Sequence, residues 1–302
     1  MKTLKIIKQD TKIQFLKYKK ITLFISLIFC LVSFLSIFIN GLNFGIDFKG
    51  GSLIEVRSEE SINISSVRSR LSLLNLGEVQ IQNFGSEKNI LVRVEASSSD
   101  NNSSILSIIT NELRSFGEIQ RTELVGPKIS SELIQKGILA IISAVGLMLF
   151  YIWIRFEWQF SLGAVLALIH DVIITIGIFS FFQIEFNLSI IAALLTIIGY
   201  SMNDTVVVYD RIRENLRKYK KQDLYDLINS SINQTLSRTV LTSFTTLLAL
   251  FSLYIFGGQV IKGFTLAMII GVFIGTYSST FIASQLLHIL GVKRDWSKNN
   301  DN

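Results

Sequence analysis

The sequence predicts a polytopic α-helical membrane protein with six transmembrane helices and an inserted α+β domain, and three observations carry that fold class. Six apolar windows, at 21–39, 137–154, 160–182, 188–209, 236–256 and 264–290, are each long enough, or nearly so, to cross about 30 Å of hydrocarbon at about 1.5 Å per residue. The 302 residues are 49% hydrophobic and only 17% charged, which leaves too little polar sequence to wrap six such helices inside a soluble protein. The segment 40–130, by contrast, reads as short strands and amphipathic helices.

Residues 1–20 hold seven Lys and one Asp and form a basic lead-in. Leu4, Ile7, Phe15 and Leu16 are spaced to touch a membrane surface; charges that simply fix orientation account for the same stretch. The first span, 21–39, is long for the apolar part of a signal peptide, and 36–40 offers no small-x-small cleavage site, so it is expected to remain as an anchor. Cys30, the only cysteine, lies in this span, so neither an internal disulfide nor a thiolate metal cluster is available. After the span comes NFGIDFKGG, in which Asn43, Gly45, Asp47, Gly50 and Gly51 suit a tight backbone rather than a continued helix. Asp47 reads first as a turn-capping acid and second as an ion ligand.

The inserted domain follows a regular order. A strand at 52–57 is followed by a helix at 65–75 with Val67, Leu71 and Leu74 on one face, then by strands at 79–84 and 90–95. A helix at 104–116, lined by Ile105, Ile109, Leu113 and Phe116, and a last strand at 118–124 complete a β-α-β-β-α-β pattern. That order predicts a ferredoxin-like α+β fold, which by itself assigns no function.

Pro127, the chain's only proline, marks a natural stop before the second span at 137–154. Trp153 and Trp158 flank a tight turn and fit an interfacial belt. The third span, 160–182, contains His170 and Asp171, whose side chains leave the helix about 100° apart and are not expected to pair. With His288 the only other histidine, no metal site is expected. Beyond the fourth span, 211–221 continues as helix and 223–231 reads as a second, short amphipathic helix that docks a partner or lies on acidic lipid. In the sixth span Gly263, Ala267, Gly271 and Gly275 make a small-residue stripe for close helix packing, followed by the hydroxyls of 277–279.

Charge orients these spans. The net charge of +6 concentrates in 1–20, in 211–235 with six basic residues against three acids, and in the tail 291–302, whereas 40–130 carries nine basic and eleven acidic residues. The positive-inside rule therefore places both termini and the 211–235 loop in the cytoplasm and the 40–130 domain on the outer side of the membrane, and the basic excess calls for no nucleic acid. No phosphate loop, nucleophile–base constellation or cofactor motif is present, so neither an enzyme nor a cofactor is expected.

The chemistry concentrates in the fourth span, where GYSMNDTVVVYDRIREN begins at Gly199. An Asp at a helix centre costs about 2.5 to 3.5 kcal/mol on insertion scales, and such a residue usually faces a bundle interior or a water-filled path. Asp204 is that residue. Ser201 lies three residues earlier on the same face, and Asn203, Ser201, Asp171 and His170 are the candidates for a supporting polar layer. Arg238, where NQTLSRT enters the fifth span, is the candidate counter-charge; a guanidinium snorkelling to the head groups is the alternative. Asp204 would then alternate between a protonated state and a charged state paired with Arg238, with Asp171 a relay or a packing residue.

Taken together, NFGIDFKGG, ALIHDVIITIG, GYSMNDTVVVYDRIREN, NQTLSRT and GxxxGTYSS resemble the SecF family over nearly the whole chain. Lys49 stands where the family often has a hydroxyl residue, and Met202 and Tyr209 replace Ile and Phe. The resemblance implies a proton-driven subunit of the resistance-nodulation-division type that works with SecD beside the SecYEG channel of the bacterial inner membrane. It implies a translocating polypeptide as client, a YajC-type accessory subunit and membrane lipid as partners, and Asp204 and Arg238 as the coupling residues. A half-transporter of the same superfamily exporting lipid or small molecules is one alternative, and a non-conducting assembly scaffold is another.

Overall fold

The computed structural model describes residues 11–74, 79–95, 102–258 and 260–292. Leu4 and Ile7 of the lead-in, the end of the expected helix at 75 and the tail from Lys293 lie outside the described residues. The chain forms two compact units, one of 43–139 with 185–189, the other of 1–42, 140–184 and 190–302.

The first of these units contains a helical turn α2 (Ile46–Lys49), then β1 (Gly51–Arg57), α3 (Ile64–Ser72), β2 (Val79–Phe84), β3 (Ser86–Val94), α4 (Asn102–Leu113) and β4 (Glu118–Val125). The strands pair antiparallel in the order β2-β3-β1-β4. Ile54, Val56, Ile90 and Val92 from one face of the sheet bury against Val67, Leu71, Ile109 and Leu113 from the helices, while Leu53 and Leu91 on the other face bury with Ile46 of α2. Asn63 caps α3 by accepting from the Ser65 and Ser66 N–H groups. Gly50, at φ +77°, takes the left-handed turn that lets α2 pass into β1.

The second unit carries the apolar helices, apart from residues 127–139 and 188–189, which belong to the first. They are α1 (Lys19–Asn40), α5 (Pro127–Arg155), α6 (Trp158–Phe181), α7 (Leu188–Lys218), α8 (Leu224–Phe256) and a last span made of α9 (Lys262–Tyr277), a π-helical turn (Ser278–Ala283) and α10 (Ser284–Leu290). Among the described residues, six spans are long and apolar enough to cross a membrane; those of α6, α7 and α9 to α10 are mostly buried, while α1, α5 and α8 turn apolar surface outward. The small-residue stripe explains part of that packing. A Cβ on Gly271 would fall inside the Ile197 side chain, one on Gly275 would stand 3.0 Å from Ser201 Cβ, and Ala267 is fully buried, so the stripe seats α9 on α7 rather than on lipid.

Four local expectations are corrected. Phe15 and Leu16 do not lie on a membrane surface but are buried in the helix core. They turn inward because polar side chains at the start of α8 satisfy their backbone: Leu16 N–H donates to Asn229 Oδ1 at 3.0 Å, and Ile13 N–H donates to Asn233 Oδ1 while its carbonyl accepts from Asn233 Nδ2. Pro127 opens α5 instead of preceding it, since the first helical position needs no N–H partner and suits the fixed φ of proline. The stretch 223–231 is not a separate helix; Asp223 caps α8, which then runs unbroken because no Gly or Pro interrupts 224–256. The last span departs from α geometry at Ser278, a local widening that period-based reading does not register.

Candidate functional site

Asp204 sits on the buried face of α7, 7% exposed. Thr239 of α8 donates to its Oδ1 at 2.8 Å and Ser279, in the π-turn, donates to its Oδ2 at 2.8 Å. Two helices other than its own therefore hold the carboxylate, each through a hydroxyl. Bonds of this kind to a charged group are worth about 1.5 to 3 kcal/mol apiece, enough together to oppose much of the cost of placing an acid here.

Arg238 does not make the direct ion pair expected of it. Among the described residues Asp204 has no ion-pair partner within 4.0 Å; Arg238 is exposed, and its charge acts on the carboxylate favourably from a distance. The reason is helical phase. Arg238 and Thr239 are neighbours near the middle of α8, but about 100° of rotation separates them, and Thr239 is the one turned to the acid.

A second carboxylate lies alongside. Asp171 of α6 is fully buried, with Ser201 of α7 donating to its Oδ2 at 2.6 Å and Ser278 donating to the same oxygen at 2.7 Å. His170 Nδ1 stands 2.9 Å from Asp171 Oδ1, so the two neighbours do pair. The 100° between them describes where their Cβ atoms leave the helix; the imidazole is long enough to turn back across that gap. His170 Nε2, buried, has no hydrogen-bond partner. Ser201, expected beside Asp204, serves Asp171 instead, and Asn203 is exposed on the outward face of α7, away from both acids. Of the expected layer, Asp171, His170 and Ser201 come together and Asn203 does not.

Sequence reasoning did not assign Thr239, Ser278 and Ser279 to these acids. All three were visible as hydroxyls within apolar spans, but which carboxylate each meets depends on helix phase and on the π-turn. The hydroxyl layer continues through Ser243, which bonds Thr276 Oγ1 at 2.7 Å. Among the described residues no group of three or more His, Cys, Asp or Glu side chains is placed to hold a metal.

The NFGIDFKGG residues lie in the inserted unit. Gly45 N–H donates to the Phe186 carbonyl and Phe186 N–H donates to the Asn43 carbonyl, at 2.9 and 2.8 Å, a short parallel bridge in which a side chain at Gly45 would displace the Glu185 carboxylate, 2.6 Å from its Cβ. Asp47 Oδ2 accepts from Leu188 N–H at 2.8 Å and so caps the first residue of α7 rather than its own turn. Gly51, at φ +124°, begins β1.

The sequence matches the family described as "Protein export membrane protein SecD/SecF, C-terminal" over residues 108–293, and "SecD/SecF GG Motif" over residues 35–62. It is 44% identical over 295 residues to the protein translocase subunit SecF of Rickettsia bellii, covering 96% of this chain and 97% of that one. To the SecF of Vibrio alginolyticus it is 42% identical over 294 residues, covering 96% and 93%. Among solved structures it is similar to SecDF, a translocon-associated membrane protein of Thermus thermophilus, with TM-score 0.84 and 36% identity. A structure of SecDF in a super-membrane-facing form gives TM-score 0.69 and 35% identity. The alignments cover 94% and 93% of this chain but 39% of each SecDF chain.

Proposed function

Because the chain belongs to the SecF family, we propose that it is an accessory subunit of the Sec translocase, acting with SecD to promote export of polypeptides across the inner membrane. SecYEG, the moving polypeptide, a YajC-type subunit and membrane lipid are its further partners in this reading. Both termini lie in the cytoplasm and the inserted unit in the periplasm, as the basic excess of 1–20 and 211–235 favours. The inserted unit is ferredoxin-like; its β-α-β-β-α-β order and its strand order β4-β1-β3-β2 support that.

The proton gradient supplies the energy, and Asp204 is the group that takes up and releases the proton. The observation that carries this is the pair of hydroxyls on its two oxygens. Ser279 Oγ stands 2.8 Å from Asp204 Oδ2 and also 3.1 Å from the Thr276 carbonyl, but has one proton to give. With Asp204 charged, Ser279 donates to it. With Asp204 protonated, the acid donates to Ser279 and Ser279 turns its proton to the Thr276 carbonyl. Both states stay hydrogen-bonded, so neither leaves a buried polar group unpaired. Arg238 stabilises the charged state through space.

The test is gradient-dependent export in vesicles holding this chain, its paired subunit and the channel, with native Asp204 and with Asp204→Asn. The variant keeps complex assembly and loses the gradient-driven component of export. Full gradient-driven export by Asp204→Asn refutes the coupling role.

A further inference from the structure

Asp171 is a buried carboxylate with a single neighbour able to answer its charge. Among the described residues neither Asp171 nor Asp204 has a Lys or Arg nitrogen within 4.0 Å, and the basic group that does stand that close to Asp171 is His170, its Nδ1 2.9 Å from Oδ1. Asp171 Oδ2 already accepts from the hydroxyls of Ser201 and Ser278, so Oδ1 is left for the ring, and a carboxylate oxygen takes the Nδ1 proton. In a neutral imidazole that leaves the lone pair on Nε2. Nε2 is buried, on a side chain only 7% exposed, and has no hydrogen-bond partner.

With the ring neutral, the pair buries one net negative charge. A proton bound at Nε2 forms an N–H bond there, leaves Nδ1–H on Asp171, and converts the pair into an imidazolium–carboxylate ion pair with no net charge. Opposite charges in contact attract far more strongly inside a bundle than in water, and an unpaired charge is the costlier one to bury. A carboxylate that fixes the tautomer of an imidazole and then stabilises its charged form is the arrangement in which histidine acts as a base.

The other titratable groups turned to the pair come from three helices. Tyr277 of α9 sets its ring centroid 6.4 Å from that of His170, Cys30 of α1 lies within electrostatic reach of Asp171, and Asp204 of α7 is linked to Asp171 through the adjacent Ser278 and Ser279. None of these is a cation that would oppose an imidazolium. Tyr277 also begins a polar trail: its hydroxyl contacts Ser26 Oγ at 3.1 Å and donates to the carbonyl of Thr22, a half-buried residue in the first turn of α1, at 3.0 Å. We propose that His170 is a second proton-binding site of this layer, taking a proton at Nε2 as an imidazolium held by Asp171. Calling it second rests on the reading of Asp204 as the first.

The full chain, isotope-labelled at its histidine nitrogens, is placed in lipid nanodiscs and followed by nitrogen NMR across a pH series; His288→Gln leaves His170 as the only ring. At high pH the ring is expected to carry one proton, on Nδ1, and to gain another on Nε2 as the pH falls. Asp171→Asn, checked for folding by circular dichroism, is expected to lose that second step. Asp204→Asn is expected to keep it, which makes the proton additional to that of Asp204. Should Asp171→Asn not fold, the native and Asp204→Asn chains decide alone. A ring protonated only on Nε2 at high pH, or one that keeps a single proton down to the lowest pH at which the native chain stays folded, overturns the proposal. An undiminished second step in Asp171→Asn, or its loss in Asp204→Asn, overturns it too. The ring is read without export: full gradient-driven export by Asp204→Asn would remove the coupling role and leave this site standing, and an inert ring would do the reverse.

Discussion

Ser278 and Ser279, neighbours at the opening of the π-turn, donate to two different carboxylates: Ser278 to Asp171 at 2.7 Å and Ser279 to Asp204 at 2.8 Å. A π-turn in the last span thus addresses α6 with one serine and α7 with the next, and it joins the two acids into one buried layer. Ser279 serves the acid read as the proton site, whereas Ser278 serves one already held by Ser201 and His170.

The two serines therefore separate function from packing. Ser279→Ala is expected to cut the gradient-driven part of export several-fold with little change in the gradient-independent part. Ser278→Ala is expected to lower the thermal unfolding temperature of the purified chain, since a buried carboxylate loses one donor, a cost of about 1 to 3 kcal/mol. Equal effects of both variants on both readouts would mean that the layer acts as one structural unit.

Thr239 is the second donor to Asp204 and its hydroxyl is the part that matters. Thr239→Val keeps the shape but leaves Oδ1 without its 2.8 Å donor, so gradient-driven export should fall in vesicles, while Thr239→Ser should restore most of it. Export by the valine variant equal to native would remove Thr239 from the site.

Close packing at two glycines gives opposite expectations for rescue. Gly271→Ala drives a methyl into the Ile197 side chain and should destabilise by about 1 to 3 kcal/mol; in Gly271→Ala/Ile197→Ala the total loss should fall short of the two single losses added, because the methyl fills space that the truncation opens. Gly177→Ala meets not only the Ser33 side chain but its Cα, at 2.6 Å. Trimming that residue in Gly177→Ala/Ser33→Gly should therefore recover little. Thermal unfolding in detergent distinguishes the two.

Asp47 acts on a helix far along the chain. Asp47→Ala removes the acceptor of the Leu188 N–H and a negative charge at the N-terminus of α7, a loss of about 1 kcal/mol, and Asp47→Asn should lose less. Unfolding temperatures that rank alanine below asparagine below native support a capping role, and no difference among the three would exclude it.

The start of α8 holds the segment ahead of α1. In Asn229→Ala/Asn233→Ala the amides of Ile13 and Leu16 lose their acceptors, and their hydrogen exchange should speed up by tenfold or more while that of the α6 core stays slow. Unchanged protection at both amides would show that burial of Phe15 and Leu16 alone fixes the segment.

The sequence by itself determined what depends on composition and period. Six apolar windows have only one economical solvent, and an alternating domain without such windows can sit between them only as an insert, so the number of spans and the order of strands and helices along the insert were readable from one-dimensional pattern. Asp204 was readable too, because an acid inside an apolar run is costly wherever the helix points. Its partners were not. Whether Arg238 or Thr239 meets it is a matter of about 100° of helix phase, and whether Ser278 and Ser279 serve one acid or two depends on a π-turn that shifts register by a single residue. Ser201 shares a face with Asp204 on its own helix, yet bonds Asp171 across to α6. Contacts between helices are set by how close the glycines of α6 and α9 allow their neighbours to come, and that distance exists only in the packed bundle.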